Sequence, residues 1–276
     1  MNKIFKLFSI LSLVTIVFFA CSPDEYQLKA PLVKSALKFS VTKDASNPNK
    51  FILKSLTPNA QAFWVTPVGT SVKLTDTIDI PFPANNDTIM YSVETPGGIV
   101  TADPYVFDVT TIDAEYVSGQ MWTDLTGGIG KSKTWVLAID ANGVSKGGFT
   151  SPFYFGGTGW EWDPNFSDIG WSGVSAGDYG TMTFDLIGNA NFKSDNKMFP
   201  QYSGTGKFML FPGTSQLITY GAQLLHDKAE GGGVLNWNAL LTIKTLDADH
   251  MQVLAVTAPG AWLVYNYISK SYYDSH

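Results

Sequence analysis

Short runs of β-branched and aromatic residues, separated by Gly, Pro, Asn and Asp, are the feature that most constrains how this chain can fold. The earlier runs read LKFSVTK, NKFILKSL, QAFWVTP, SVKLTDTIDI, TIMYSVETPGG and YVFDVTTI. The later runs include TMTFDLI, GKFMLF, LITYGAQLL, VLNWNALLTIKTL, HMQVLAV and AWLVYNYIS. No segment shows a convincing period of 3.6 residues, so the pattern predicts strands joined by turns. We therefore expect an all-β fold.

The spacing of these runs divides the sequence into two parts. Six or seven short strands over about 75 residues predict an immunoglobulin-like sandwich at residues 37–113. From residue 114 onward, Gly clusters and Trp residues become dense, and the strands recur at roughly 10–20 residues with long Gly-rich insertions. This second pattern predicts a larger, jelly-roll-like antiparallel β-sandwich over residues 114–276.

The N-terminal residues have the pattern of an export signal that ends at a cysteine. Lys3 and Lys6 precede an apolar run, Leu7–Ala20, which closes on a small residue directly before Cys21, the only cysteine. A run of about 14 residues is too short to span a bilayer, which needs about 20. The pattern resembles a bacterial lipobox, in which the cysteine is acylated and begins the mature chain. Residues 1–20 are therefore predicted to be a lipoprotein signal peptide.

The residues that follow Cys21 predict where the protein is located. Residues 21–36 are mostly polar, contain two prolines and show no clear period, which predicts a flexible tether. The acidic pair Asp24-Glu25 resembles the export signal of Bacteroidetes lipoproteins that reach the cell surface. We therefore expect a protein that a lipid anchor holds at the outer membrane, exposed at the cell surface.

The composition excludes several classes of partner. The net charge is −6 and the isoelectric point is near 5.0, which argues against binding to nucleic acid or to an anionic membrane surface. A neutral ligand fits this charge better. A single cysteine allows no disulfide within the chain and no multi-thiolate metal site.

The first predicted domain resembles the PKD-like modules of bacterial surface proteins. The resemblance is carried by Phe63-Trp64-Val65 and by the strand Thr88–Thr95, which runs into Pro96-Gly97-Gly98. The aspartate-glycine loop typical of those modules is missing after Trp64, where the chain reads Thr66-Pro67-Val68-Gly69. The resemblance implies a spacer domain, with Trp64 in the core between two sheets.

The second predicted domain resembles Bacteroidetes outer-membrane lipoproteins from polysaccharide-utilisation loci. The matching residues are Leu125-Thr126-Gly127-Gly128, Lys133-Thr134-Trp135-Val136, the Trp-rich stretch at 160–171 and the strand start at Asp178–Phe184. The resemblance implies non-catalytic glycan binding within a glycan-uptake system. It also implies an outer-membrane glycan transporter complex as a partner.

Residues Phe153–Tyr179 contain the groups that sugar recognition requires. Flat aromatic faces pack on the C–H side of a pyranose ring, and polar side chains at the edge bind its hydroxyls. Trp160 and Trp162 share one face if this piece is extended, because side chains two residues apart point the same way. In the alternative, these rings pack as a local core beneath a long loop. The candidate glycan-binding residues are Tyr154, Trp160, Glu161, Trp162, Asp163, Trp171 and Asp178.

Two other functions compete with glycan binding. The run Glu161-Trp162-Asp163-Pro164-Asn165 resembles a damaged glutamate-x-aspartate-x-glutamate motif of laminarinase-like retaining glycosidases, which need two carboxyls about 5–5.5 Å apart. Asn165 cannot ionise, and Pro164 interrupts a strand, so we expect no enzymatic activity. The other alternative is a structural or adaptor lipoprotein whose aromatic residues contact a protein partner.

A structural calcium ion is the one cofactor that the sequence suggests. Asp163, Asn165 and Asp168 are three oxygen ligands at short spacing in a predicted loop.

Overall fold

The fold is described from a computed structural model, which covers residue 30 and residues 32–227, 233–234 and 236–276. The predicted signal peptide, Cys21, the pair Asp24-Glu25 and most of the predicted tether lie outside the described residues. Within the described residues, no helix is long and apolar enough to cross a membrane.

The chain divides into two compact units that share its N-terminal portion. The first unit comprises the described residues up to Ser40, with Leu53–Asp76 and Ile89–Tyr105. The second comprises Val41–Ile52, Thr77–Thr88 and Val106–His276. The division of the sequence between residues 113 and 114 remains a prediction.

The strands of the N-terminal portion form two small sheets in the part of the chain described. One sheet has the order β1-β2-β5; the other has the order β4-β3-β6-β7, and β8 also pairs with β6. The pairs β3–β4, β3–β6 and β6–β7 are antiparallel. The strands are β1 (Phe39–Lys43), β2 (Lys50–Ser55), β3 (Gln61–Thr66), β4 (Gly69–Ser71), β5 (Thr75–Asp79), β6 (Ala84–Thr95), β7 (Gly98–Thr101) and β8 (Tyr105–Val109).

Aromatic side chains form the core of the first unit. The ring of Phe39 on β1 lies 5.9 Å from that of Trp64 on β3 and 4.8 Å from that of Tyr91 on β6. Trp64 is fully buried, and its Nε1 donates a hydrogen bond to the carbonyl oxygen of Lys73 at 3.0 Å. Because Phe39 belongs to one sheet and the other two rings to the second, these rings join the sheets face to face. The prediction that Trp64 is a core residue is confirmed.

All strands and helices that follow β8 belong to the second unit. The helices are α1 (Gln120–Thr126) and α2 (Lys270–Ser275), and short 3-10 helices cover Phe166–Ser172, Pro200–Tyr202 and Pro212–Thr214; a further 3-10 turn, Lys34–Ala36, precedes β1. The strands are β9 (Ser132–Leu137), β10 (Phe153–Gly157), β11 (Trp160–Trp162), β12 (Gly180–Asp185), β13 (Asn191–Asn196), β14 (Gly204–Phe211), β15 (Gln216–Tyr220), β16 (Leu241–Leu246), β17 (His250–Ala258) and β18 (Ala261–Ser269).

Among the described residues, eight of these strands close into a barrel. Strands β12 to β18 each pair antiparallel with the next strand along the chain, and β9 pairs with both β12 and β18. A jelly roll instead builds two separate sheets from strands that cross between them. The all-β prediction is therefore confirmed, whereas the jelly-roll sandwich predicted for residues 114–276 is wrong. The period of two identifies the buried side of each strand but does not identify the neighbouring strand.

In the part of the chain described, side chains fill the barrel interior. Aromatic rings from three adjacent strands, Phe184, Phe192 and Phe208, pack together with centroids 4.7 and 5.1 Å apart. Trp122 of α1 reaches Phe208 at 5.8 Å, and Trp135 of β9 is fully buried. Burial of these large rings supplies much of the hydrophobic stabilisation of the second unit.

Candidate functional site

The two ends of the barrel differ in the length of their connections. One end, which we call the long-connection end, carries the segments that leave β9, β13, β15 and β17. These connections span residues 138–179, 197–203, 221–240 and 259–260, whereas those at the opposite end span only 186–190, 212–215 and 247–249. Long loops on a rigid scaffold are where binding residues concentrate, and barrel mouths commonly hold ligands.

The hairpin of β10 and β11 extends the barrel wall at the long-connection end. The first half of β18 pairs with β10, and its last residues pair with β9, so the wall branches at β18. On the hairpin, Phe155 lies opposite Trp162 and Gly157 lies opposite Trp160. Trp160 and Trp162 therefore share a face of an extended strand, as the sequence predicts.

Phe155, Trp162 and Trp171 form what we call the three-ring cluster. The indole planes of Trp162 and Trp171 are within 5° of parallel, with centroids 6.4 Å apart. Phe155 stacks on both indoles, at 5.4 and 5.3 Å, and packs against the barrel core. Trp162 is 43% exposed and Trp171 is 60% exposed. The cluster thus presents two nearly parallel indoles to solvent, held from behind by a partly buried ring.

Trp160 is held close to the hairpin backbone. It is 51% exposed, and a Cβ atom added at Gly157 would overlap its indole nitrogen. Glycine at position 157 leaves room for the indole to lie against its cross-strand partner, and a larger side chain there would displace the ring.

Tyr154 and Glu161 lie on the face of the hairpin opposite to Phe155 and Trp162. Tyr154 directly precedes Phe155 and Glu161 directly precedes Trp162, and neighbouring residues in a strand point to opposite faces. Lys244 of β16 donates hydrogen bonds to the hydroxyl of Tyr154 and to Oε1 of Glu161. Burial alone would lower the pKa of Lys244, but its bonds to Glu161 and Tyr154 outweigh that effect and raise it. These two predicted glycan residues are therefore part of a polar contact that attaches the hairpin to β16.

The predicted calcium ligands make separate hydrogen bonds. Asp163 accepts one from the hydroxyl of Thr150 at 2.7 Å, and the side-chain amide of Asn165 donates to Asp168 at 3.1 Å. No group of three His, Cys, Asp or Glu residues that could hold a metal occurs in the part of the chain described. Calcium binding at this loop stays a prediction.

Asp178 lies apart from the other candidates. It forms an ion pair with Lys197 at 2.5 Å and accepts a hydrogen bond from the backbone of Gly180. The hydrogen bond from Lys197 lowers the pKa of Asp178 despite the opposing effect of burial. Both side chains line a cavity of about 300 Å³ together with Lys270 and Tyr273, and none of the three rings of the cluster borders that cavity.

Two members of this site were missed by the sequence reasoning. Phe155 alternates with Phe153 and Gly157 on one strand, so the period of two was a usable signal for it. Lys244 has no local signal, because it is 90 residues from Tyr154 and 83 from Glu161. Only the pairing of strands reveals that Lys244 belongs here.

Comparisons with protein-family models and with curated proteins found no match to this chain.

Proposed function

We propose that this chain is a cell-surface lipoprotein of the outer membrane that binds polysaccharide or oligosaccharide as part of a glycan-uptake system. Cys21 would carry the lipid, and an outer-membrane glycan transporter complex would be the partner. The observation that carries the proposal is the three-ring cluster, with two exposed and nearly parallel indoles at the long-connection end of the barrel.

The chemistry of the cluster suits a neutral carbohydrate. Indole faces attract the C–H groups of a pyranose ring through apolar contact and through the negative charge of the ring face. Asp163 comes one residue after Trp162, and Asp168 comes three residues before Trp171. The carboxylates of both can accept hydrogen bonds from sugar hydroxyls. Parallel rings 6.4 Å apart would contact neighbouring parts of one chain of sugars.

Binding without cleavage is also part of the proposal. A retaining glycosidase needs two carboxyls that face each other across the bound sugar. Glu161 lies on the face opposite the three-ring cluster and is held by Lys244, and Asn165 occupies the position of the third acidic residue of the motif. These features favour a binding protein over a hydrolase.

The test compares a cluster variant with a matched aromatic control. The double variant Trp162→Ala, Trp171→Ala should bind insoluble polysaccharides and arrayed glycans about 10- to 100-fold more weakly than the wild type, because it removes two stacking faces. Phe211→Ala is the control, since Phe211 is also exposed (37%) but ends β14 at the opposite end of the barrel.

Three results would change the proposal. Equal glycan binding by the wild type and the double variant would remove the cluster as the site. Release of reducing sugar that depends on Glu161 would favour the hydrolase. An absence of glycan binding, combined with loss of an outer-membrane protein partner in the double variant, would favour the adaptor lipoprotein.

A further inference from the structure

A second concave site lies at the long-connection end, away from the three-ring cluster. It is a cavity of about 390 Å³ between the 3-10 helix Pro200–Tyr202, the end of β15 and the residues that precede β16. This volume falls in the range of small-molecule sites, about 300–1,000 Å³. The residues that line it are Gln201, Tyr202, Ser203, Thr219, Tyr220, Gly221, Ala222, Gln223 and Asn238.

The lining is polar and uncharged. Three amide side chains, two phenols and two hydroxyls border the cavity, and none of these described lining residues carries a charge at neutral pH. Among the described residues, no hydrogen bond joins the side chain of Gln201, Tyr220 or Asn238 to another residue, and Asn238 donates only its backbone N–H, to Asn236. Tyr220 is 50% exposed. Free amide donors and acceptors beside an exposed aromatic ring match a neutral ligand rich in hydroxyls, and they offer nothing that would attract an ion.

A buried aromatic stack supports one wall of the cavity. The imidazole of His226 lies 4.3 Å from the ring of Tyr202 and 4.1 Å from that of Trp237, nearly parallel to the latter at 10°. Trp237 in turn contacts Tyr265 of the barrel interior at 5.0 Å. Tyr202 is therefore placed by a continuous stack that begins in the core, and its ring is pre-positioned at the cavity.

The same histidine orients Gln223. His226 is 2% exposed, and burial lowers its pKa to about 4, so the imidazole is neutral at physiological pH. Nδ1 lies against the backbone carbonyl oxygen of Asp227, and a neutral imidazole carries a single N–H to donate. Nε2 lies 2.9 Å from Oε1 of Gln223, so the amide oxygen of that side chain faces the histidine. The NH₂ group of Gln223 is then turned away from His226 and can donate to a sugar hydroxyl.

We propose that this cavity is a second saccharide-binding site, which takes a neutral sugar unit through Gln223, Asn238 and the rings of Tyr202 and Tyr220. The choice of a saccharide rests on the proposed glycan-binding function, whereas the neutral polar lining and the oriented amide are features of the cavity itself. The cavity and the three-ring cluster lie at the same end of the barrel, and a polymer bound at both would gain affinity without a new contact.

The experiment measures sugar binding by the full-length protein in detergent. The probes are hexasaccharides of glucose, mannose and xylose in their common linkages, used in isothermal titration. The cavity variant is Tyr220→Ala, Asn238→Ala; both side chains are exposed and without hydrogen bonds to other described residues, so the fold should tolerate the change. The cluster variant is Trp162→Ala, Trp171→Ala, the control is Phe211→Ala, and the melting temperature of each variant is measured.

We expect the cavity variant to lose one of two binding events, or to bind about tenfold more weakly, as the loss of a hydrogen bond and a ring face predicts. The cluster variant should keep that event. Unchanged binding by the cavity variant, with loss in the cluster variant, would overturn the second site and leave the proposed function intact. Loss in the cavity variant alone would support the second site and count against the cluster. Failure of the wild type to bind any probe would overturn both.

Discussion

At the scale of single residues, His226 links the candidate cavity to stability. Its pKa falls from 6.5 to about 4 because the ring is buried between Tyr202 and Trp237. Between these two pKa values, His226 is neutral in the folded chain but protonated in the unfolded chain. The stabilisation is therefore complete above pH 6.5 and is lost as the pH falls toward 4.

We expect His226→Gln to remove this pH dependence. In the wild type, protonation of His226 should lower the free energy of unfolding by about 3 kcal/mol as the pH falls from 6.5 to 4, at about 1.4 kcal/mol per pKa unit. Urea unfolding at half-unit pH intervals would measure it as the difference between wild type and variant. His250→Gln is the control, since the His250 side chain is 31% exposed. The same difference at pH 4 and pH 7 would contradict the prediction.

Asp79 is the reason for measuring the difference between wild type and His226→Gln rather than the wild type alone. Burial, together with the neighbouring carboxyl of Asp113, raises the pKa of Asp79 to about 6. A raised carboxyl pKa has the opposite sign: its contribution is complete below pH 3.8 and is lost as the pH rises through 6. Asp79 and His226 therefore have opposite effects on stability between about pH 4 and pH 6. The pH dependence of wild-type stability alone would underestimate the contribution of each.

At the scale of elements, Lys244 holds the β10–β11 hairpin to the barrel. We expect Lys244→Met to increase amide hydrogen exchange in β11, because the variant loses the bonds to Tyr154 and Glu161. Exchange in β17 should not change, since that strand is paired on both sides by β16 and β18. The change in global stability should be about 1 kcal/mol or less, because the Glu161 carboxylate is half exposed.

Lys197→Met is the matched control for the hairpin. It breaks the ion pair with Asp178 and should leave exchange in β11 at the wild-type rate. Wild-type protection of β11 in Lys244→Met would show that strand pairing alone holds the hairpin.

The elements also show where sequence reasoning succeeded and where it failed. The PKD-like resemblance correctly placed Trp64 in a core. Period two correctly placed Trp160 and Trp162 on one face. It did not distinguish a closed barrel from a jelly roll, because both are built from strands with one buried side. The choice depends on which edges pair, and the pairing of Tyr267 with Leu137 joins strands about 130 residues apart.

At the scale of the whole molecule, the proposed lipid anchor and the proposed binding sites have separable effects. We expect Cys21→Ala to move the protein from the membrane fraction to the soluble fraction and to abolish incorporation of labelled palmitate, because the thiol is the predicted site of acylation. Affinity for short oligosaccharides should be unchanged. Retention of a long polysaccharide by whole cells should fall, since the chain would no longer be attached to the surface.

The double variant Trp162→Ala, Trp171→Ala should behave in the opposite way in these experiments. It should remain in the membrane fraction but lose the retention of polysaccharide. Labelling of Cys21→Ala at the wild-type level would contradict the lipoprotein prediction, whatever the outcome for glycan binding.

The sequence by itself determined the strand-rich fold class, the predicted export signal and the stretch in which exposed tryptophans occur, because each depends on neighbouring residues along the chain. Only the tertiary structure decided which side chains meet. It grouped Phe155 with Trp162 and Trp171, set Tyr154 and Glu161 on the other face with Lys244, and moved Asp178 to a different cavity. The reason is that strand pairing is a contact between distant segments, and local patterns constrain the face of a strand but not its neighbour.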